Sequence, residues 1–333
     1  MQEAVPDAGT GSAAPHRLRW LFAANLVAQM GIVVTGAIVR LTGSGLGCPT
    51  WPECVDGSYV PTARQEEQWH KYVEFGNRLL TFVLALLAIA ALIGAFAWYR
   101  RQRAAGLPGR PAVLALAAIP LAGTVGQALL GGVTVLTGLN PWAVGGHFLV
   151  SIAIIAGCVL LVKRAGEPGD QPVVSLVSAP VRWLGRALVL ATLAVVVLGV
   201  VVTGSGPHSG DADTEARFGV DPRTVAWLHA DAVLLFIGLT VGMIVALYLS
   251  LAQAGGSPAR GAGLARSRSL AWWLLAVAAA QGVVGYSQYF TGLPWLLVAV
   301  HVLGACVVWV LAVFLLLSLR TRGLPDPSGS RYA

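Results

Sequence analysis

Eight apolar runs set what this chain can become, each long enough to cross the hydrocarbon core of a bilayer. They lie at roughly 20–40, 72–99, 112–136, 144–162, 184–203, 225–250, 270–290 and 295–318. A spanning helix takes about 20 mostly apolar residues, and these runs leave little chain for a soluble domain. Composition agrees: of 333 residues 56% are hydrophobic and 11% charged, with a mean hydropathy of +0.73, which excludes an ordinary globular domain. The predicted fold class is an all-α polytopic membrane protein with eight transmembrane helices.

The net charge of +7 does not point to nucleic acid, because the bases stand at the ends of apolar runs on alternating sides, as topogenesis requires. Arg17 and Arg19, the arginines between 100 and 110, the basic group 163–186, Arg260 to Arg268, and Arg320 to Arg331 all fall on one face. That face and both termini are expected in the cytoplasm, and loops 41–71, 137–143, 204–224 and 291–294 outside. Residues 1–19 read as a disordered cytoplasmic tail without a signal-peptide core, 164–183 as a cytoplasmic linker and 320–333 as a second tail.

The segment GQALLGGVTVLTGLNPWAVGGH, 126–147, falls without gaps on AQGVVGYSQYFTGLPWLLVAVH, 280–301. Gln127 meets Gln281, Gly131 meets Gly285, and His147 meets His301; TGSG also occurs twice, at 42–45 and 203–206. The chain therefore reads as two copies of a four-helix unit, 20–163 and 184–319. An even number of helices per copy makes the repeat parallel. Helix order then sets Asn77 against His229, so each half offers a pair near the outer ends of its second and fourth helices: Asn77 with His147, and His229 with His301.

Ionisable groups inside a bilayer are costly and mark function. Two imidazoles on facing helices can supply both axial ligands of a heme iron, whereas zinc would need further ligands that helices 6 and 8 lack. Heme propionates need cationic partners, and Arg40, Arg78, Arg217 and Arg223 stand at the outer face. Glu74 and Arg78 share a helical face at i, i+4, where a mutual salt bridge is the plainer account. Asp231 reads as a packing or tethering acid, and His16, His70 and His208 lie outside the spans. Cys158 and Cys306 sit inside apolar runs as packing residues. Cys48 and Cys54 share the outer loop GCPTWPEC, where an exported compartment permits a disulfide; a reactive thiol pair is the other reading.

In this order on eight helices, GAIVRLTGSGLGCPTWPEC, EFGNRLLT, TGLNPWAVGGH, LHADAVL and TGLPWLLVAVH resemble the heme A synthase family over nearly the whole chain. The resemblance implies a plasma-membrane enzyme that oxidises the ring methyl of heme O to the formyl group of heme A for aa3-type terminal oxidases. Heme O would be handed over by a heme O synthase. It further implies a heme b held by His229 and His301 in the C-terminal half, and substrate heme in the N-terminal half near Glu74 and His147. Where the family carries histidine, this chain has Asn77, and an amide is a poor iron ligand. Either His147 holds the substrate heme alone, or His70 swings in, or this half has lost activity. The expected roles are a proton acceptor for Glu74, a propionate contact or tuning charge for Arg78, and water or intermediate orientation for Asn77. A bis-histidine electron carrier is the rival from another class; a transporter would place charges nearer the midplane.

Overall fold

The structure, a computed structural model, describes residues 13–208, 210, 211, 216–254 and 257–322. The expected tails at 1–12 and 323–333 lie outside the described residues. With no water at bilayer depth, a spanning segment must satisfy its own backbone groups, and the apolar runs accordingly form helices: α1 (His16–Leu41), α2 (His70–Ala104), α3 (Pro111–Ala117), α4 (Ile119–Leu136), α5 (Pro141–Gly166), α6 (Ala179–Ser205), α7 (Pro222–Ala252), α8 (Pro258–Phe290) and α9 (Trp295–Ser318). Counting α3 with α4 as one span, eight are long and apolar enough to cross a membrane.

The third span is divided at Ala118 because Pro120 has no N–H to continue the ladder. Helix α8 starts twelve residues before the expected 270, since Arg260, Arg266 and Arg268 interrupt the apolar run without interrupting the helix. Residues 16–19, expected in a tail, already belong to α1. The helices that carry His147 and His229 have strong start signals. Asn140 accepts the N–H of Trp142 at 3.0 Å ahead of Pro141, and Asp221 accepts that of Thr224 at 2.8 Å ahead of Pro222. These caps fix the depth at which the histidines emerge.

In the first half α1 packs on α2, α2 on α4, α4 on α5 and α5 on α1; in the second, α6 packs on α7, α7 on α8, α8 on α9 and α9 on α6. Each set closes as a ring of four spans. The matched turns also agree in detail. Gly138 and Leu139 have φ of 60° and 58°, Gly292 and Leu293 of 78° and 60°. Leu139 N–H donates to Thr134 at 2.8 Å, and Leu293 N–H to Gln288 at 2.7 Å.

The rings meet along α1, α5, α6 and α9, where Leu26, Val33, Ile152, Ile155, Val196, Trp309 and Val313 form one apolar cluster with the free, fully buried Cys158 and Cys306. Trp309 Nε1 crosses this seam to donate to the Ile152 carbonyl at 2.9 Å. A larger cluster built on Leu188, Met243, Leu247, Leu264 and Leu274 fills the second ring.

At the arginine-rich end, the expected linker and tail are partly ordered into a two-stranded antiparallel sheet. β1 (Val173–Ser175) pairs with β2 (Arg320–Arg322). Arg110, 1% exposed, ties the same region by donating to Asp170 and to the carbonyls of Arg164 and Glu167. Burial pushes the Arg110 guanidinium below its ordinary pKa, while the adjacent Asp170 works against that shift.

Candidate functional site

The opposite end of the bundle, which carries the Cys48–Cys54 loop, gathers most of the residues singled out from the sequence. Cys48 and Cys54 form a disulfide. Below it, Lys71, Glu74 and Arg78 stand at i, i+3 and i+7 on α2 and share one helical face. All three bond to the loop. Lys71 Nζ donates to the Thr62 carbonyl at 2.7 Å. Glu74, 6% exposed, accepts the Cys48 N–H at 2.7 Å on one oxygen and pairs with Arg78 at 2.6 Å on the other. Arg78 also donates to the carbonyls of Cys48, Thr50 and Glu53 at 2.9–3.0 Å.

Glu74 and Arg78 thus clamp the disulfide loop to the head of α2, and most of the Arg78 donors are already used. Lys71, the third member, was missed in the sequence, although the i, i+3, i+7 spacing displays it. The loop is also seated from above. A Cβ at Gly132 would stand 2.5 Å from the ring of Trp51, so only glycine lets this side chain lie on α4.

The four pseudo-equivalent positions share an environment. A Cβ at Gly131 would lie 3.6 Å from Cε1 of His147, at Gly285 3.5 Å from Cε1 of His301, and at Gly199 3.3 Å from Cε1 of His229; at Gly36 it would lie 4.0 Å from Nδ2 of Asn77. Each side chain therefore rests against a glycine of the neighbouring span. Asn77 Oδ1 accepts the Thr35 hydroxyl at 2.8 Å, which ties it to α1 much as His229 is tied to α6.

His229 and His301 face each other across the second ring, their centroids 6.4 Å apart and their planes at 68°. Two imidazoles bonded to opposite sides of one metal ion, at about 2 Å per metal–nitrogen bond, place their centroids about 6 Å apart. The gap therefore admits one iron. The Val195 carbonyl can only accept, so the 3.0 Å contact from His229 Nδ1 puts the proton on Nδ1 and leaves the Nε2 lone pair free. Nδ1 of His147 and of His301 is buried without a hydrogen-bond partner among the described residues. Facing imidazoles, one with its tautomer already set for ligation, and glycine seats that clear space beside them fit a planar iron cofactor.

The remaining candidates are placed elsewhere. Arg40 donates to the Thr203 carbonyl at 3.1 Å, has a buried Nε without a partner among the described residues, and lines a cavity of about 590 Å³ between the halves with His70, Glu67, His208 and Asp211. Arg217 holds the carbonyls of Gly206 and Pro207 at 2.6 and 3.2 Å, and Arg223 is exposed. His70 begins α2, is bonded through Nδ1 to the Ser44 hydroxyl at 2.8 Å and stacks on Trp69, so it is engaged away from Asn77. Asp231 is exposed and has no hydrogen bond or ion pair among the described residues, so it tethers nothing.

The sequence model of the COX15-CtaA family, described as a cytochrome oxidase assembly protein, matches residues 18–313. Among curated relatives, the heme A synthase of Geobacillus kaustophilus is 32% identical over 136 residues, which cover 40% of this chain and 39% of that protein. The heme A synthase of Lysinibacillus sphaericus is 30% identical over 190 residues, covering 57% and 56%, and that of Geobacillus thermodenitrificans 28% identical over 158 residues, covering 45% and 46%. The chain spans about half the length of the curated relatives it matches.

Proposed function

The chain belongs to the COX15-CtaA family of cytochrome oxidase assembly proteins, and on that premise we propose that it is a heme A synthase, converting the ring methyl of heme O to the formyl group of heme A. The observation that carries the reading is the repeated glycine-seated pair, complete as His229 and His301 in one half and open as Asn77 and His147 in the other. In this reading His229 and His301 hold a resident heme b, and the first half receives heme O as substrate through His147. Held by these two residues, a heme would supply electron transfer. The disulfide end faces the outside of the plasma membrane, and both termini lie in the cytoplasm. A heme O synthase supplies the substrate and an aa3-type oxidase takes the product.

The chain's own groups divide the remaining work. In this reading His147 would bind and orient the substrate ring, and Asn77, anchored by Thr35, would be a poor iron ligand. Oxidation of a methyl removes protons and electrons at the ring edge, and in this reading Glu74 would accept a proton or stabilise positive charge there. Arg78 keeps Glu74 in place, and the clamped loop closes the site from above. In this reading Arg40 and Arg217 would be the propionate contacts at this end.

Glu74→Gln tests the assignment. It keeps an acceptor for the Cys48 N–H but removes the charge, and it is expected to lower conversion of heme O at least about a hundredfold while heme b content stays unchanged. Full conversion at unchanged heme loading would exclude Glu74 from the chemistry.

A further inference from the structure

The internal sequence match places a second repeated pairing beside the histidines, one that the proposed chemistry leaves unused: Gln127 matches Gln281 as His147 matches His301. Gly131 and Gly285, which face the imidazole rings, lie one turn further along the same helices as these glutamines. Among the described residues, the Oε1 atoms of Gln127 and Gln281 are buried without a hydrogen-bond partner, and so are the Nδ1 atoms of His147 and His301. Each half therefore holds a spare acceptor and a spare imidazole nitrogen on facing helices. An unpaired buried polar group is costly, and each one in a native structure calls for an explanation.

The glutamines also contact the helices that bear the histidines. Gln127 Nε2 donates to the carbonyl of His147 itself at 2.8 Å and reaches the Ser151 hydroxyl. The Gln281 carboxamide lies directly on Gly304, three residues beyond His301, where a Cβ would stand 1.8 Å from Nε2. Glycine at 304 therefore makes room for the amide. His229 shows the finished arrangement, with its Nδ1 proton given to the Val195 carbonyl and its Nε2 left free.

We propose that Gln281 and Gln127, not bonded to the imidazoles in this structure, are positioning residues whose side-chain carbonyl oxygens would accept the Nδ1 proton of His301 and His147 when a heme is bound and so commit Nε2 of each ring to its iron. The inference rests on the heme reading of these histidines. Such an acceptor fixes the tautomer and ring orientation of a ligating histidine and raises its basicity. A more basic ligand favours the ferric state, so loss of the acceptor raises the reduction potential.

The test is redox titration of the purified full-length protein, comparing wild type with Gln281→Met, which keeps the volume and removes the acceptor, and with Gln281→Glu, which keeps an acceptor oxygen. Gln281→Met is expected to shift the ferrous-to-ferric ratio at a fixed potential about tenfold toward ferrous, a rise of about 59 mV for one electron. Gln281→Glu is expected at or below the wild-type potential. Should Gln281→Met purify without heme, retention of heme by Gln281→Glu supports the role, and loss in both variants contradicts it. A heme-loaded wild type whose potential ignores both substitutions, or rises equally with both, overturns the inference alone. A wild type with no b-type heme overturns the heme reading and this inference with it.

Discussion

Purified His301→Ala protein is expected to retain less than about a tenth of the wild-type b-type heme, a loss in the range that follows when even the outer partners of a metal ligand are removed. His301 and His229 are the two groups that face each other across the second ring at 6.4 Å, and the alanine side chain cannot reach an iron placed between them. The fold should survive. The cluster around Leu188, Met243 and Leu274 and the seam through Trp309 do not include His301, so helicity and monodispersity are expected to stay at wild-type levels. Pyridine hemochrome absorbance per milligram of protein measures the outcome. Full heme content with an unchanged low-spin spectrum would remove His301 from the ligand set.

Arg78→Ala is expected to destabilise the disulfide end of the bundle by about 3 kcal/mol, toward the lower end of what breaking a buried ion pair costs, because the Arg78 side chain is 21% exposed. The substitution leaves the buried Glu74 carboxylate with only the Cys48 N–H, and it takes a donor from the carbonyls of Cys48, Thr50 and Glu53. Lys71 still holds Thr62, so the far part of the loop stays attached while the disulfide itself loosens. Thermal unfolding and the rate at which a membrane-impermeant reductant opens Cys48–Cys54 report the two consequences: a lower midpoint and faster reduction. An unchanged midpoint and unchanged reduction rate would mean that Arg78 is not what holds the loop down.

The arrangement of spans was legible because bilayer helices need long apolar runs, and nothing shorter or more polar competes with that signal. Boundaries were less so. The arginines 260–268 interrupt hydropathy at the start of α8 without breaking its hydrogen bonds, and Pro120 breaks hydrogen bonds in the third span without interrupting hydropathy. The sheet joining β1 to β2 has three-residue strands too short to carry a period.

In the candidate site, the gapless match of 126–147 with 280–301 singled out His147 and His301 together with Gly131 and Gly285, whereas His229 stood out only by helix order and its neighbour Gly199 did not. The Glu74–Arg78 pair was visible from its i, i+4 spacing, yet its partners were not. Backbone carbonyls of a loop far away in sequence leave no residue signature, and the seat of Trp51 on Gly132 depends on how that loop folds back. Asn77 stood out as a departure from the family, and its bond to Thr35 gives that departure a stable local structure.

Extraction and chromatography of the hemes from protein expressed in a host that makes heme O tests the central claim most directly, with wild type set beside His147→Ala. The account predicts heme A or its hydroxylated precursor alongside heme B in the wild type, and heme B alone in His147→Ala. Heme B alone in both would contradict heme A synthesis and leave a bis-histidine electron carrier. Heme A persisting in His147→Ala would contradict the placement of substrate in the first half.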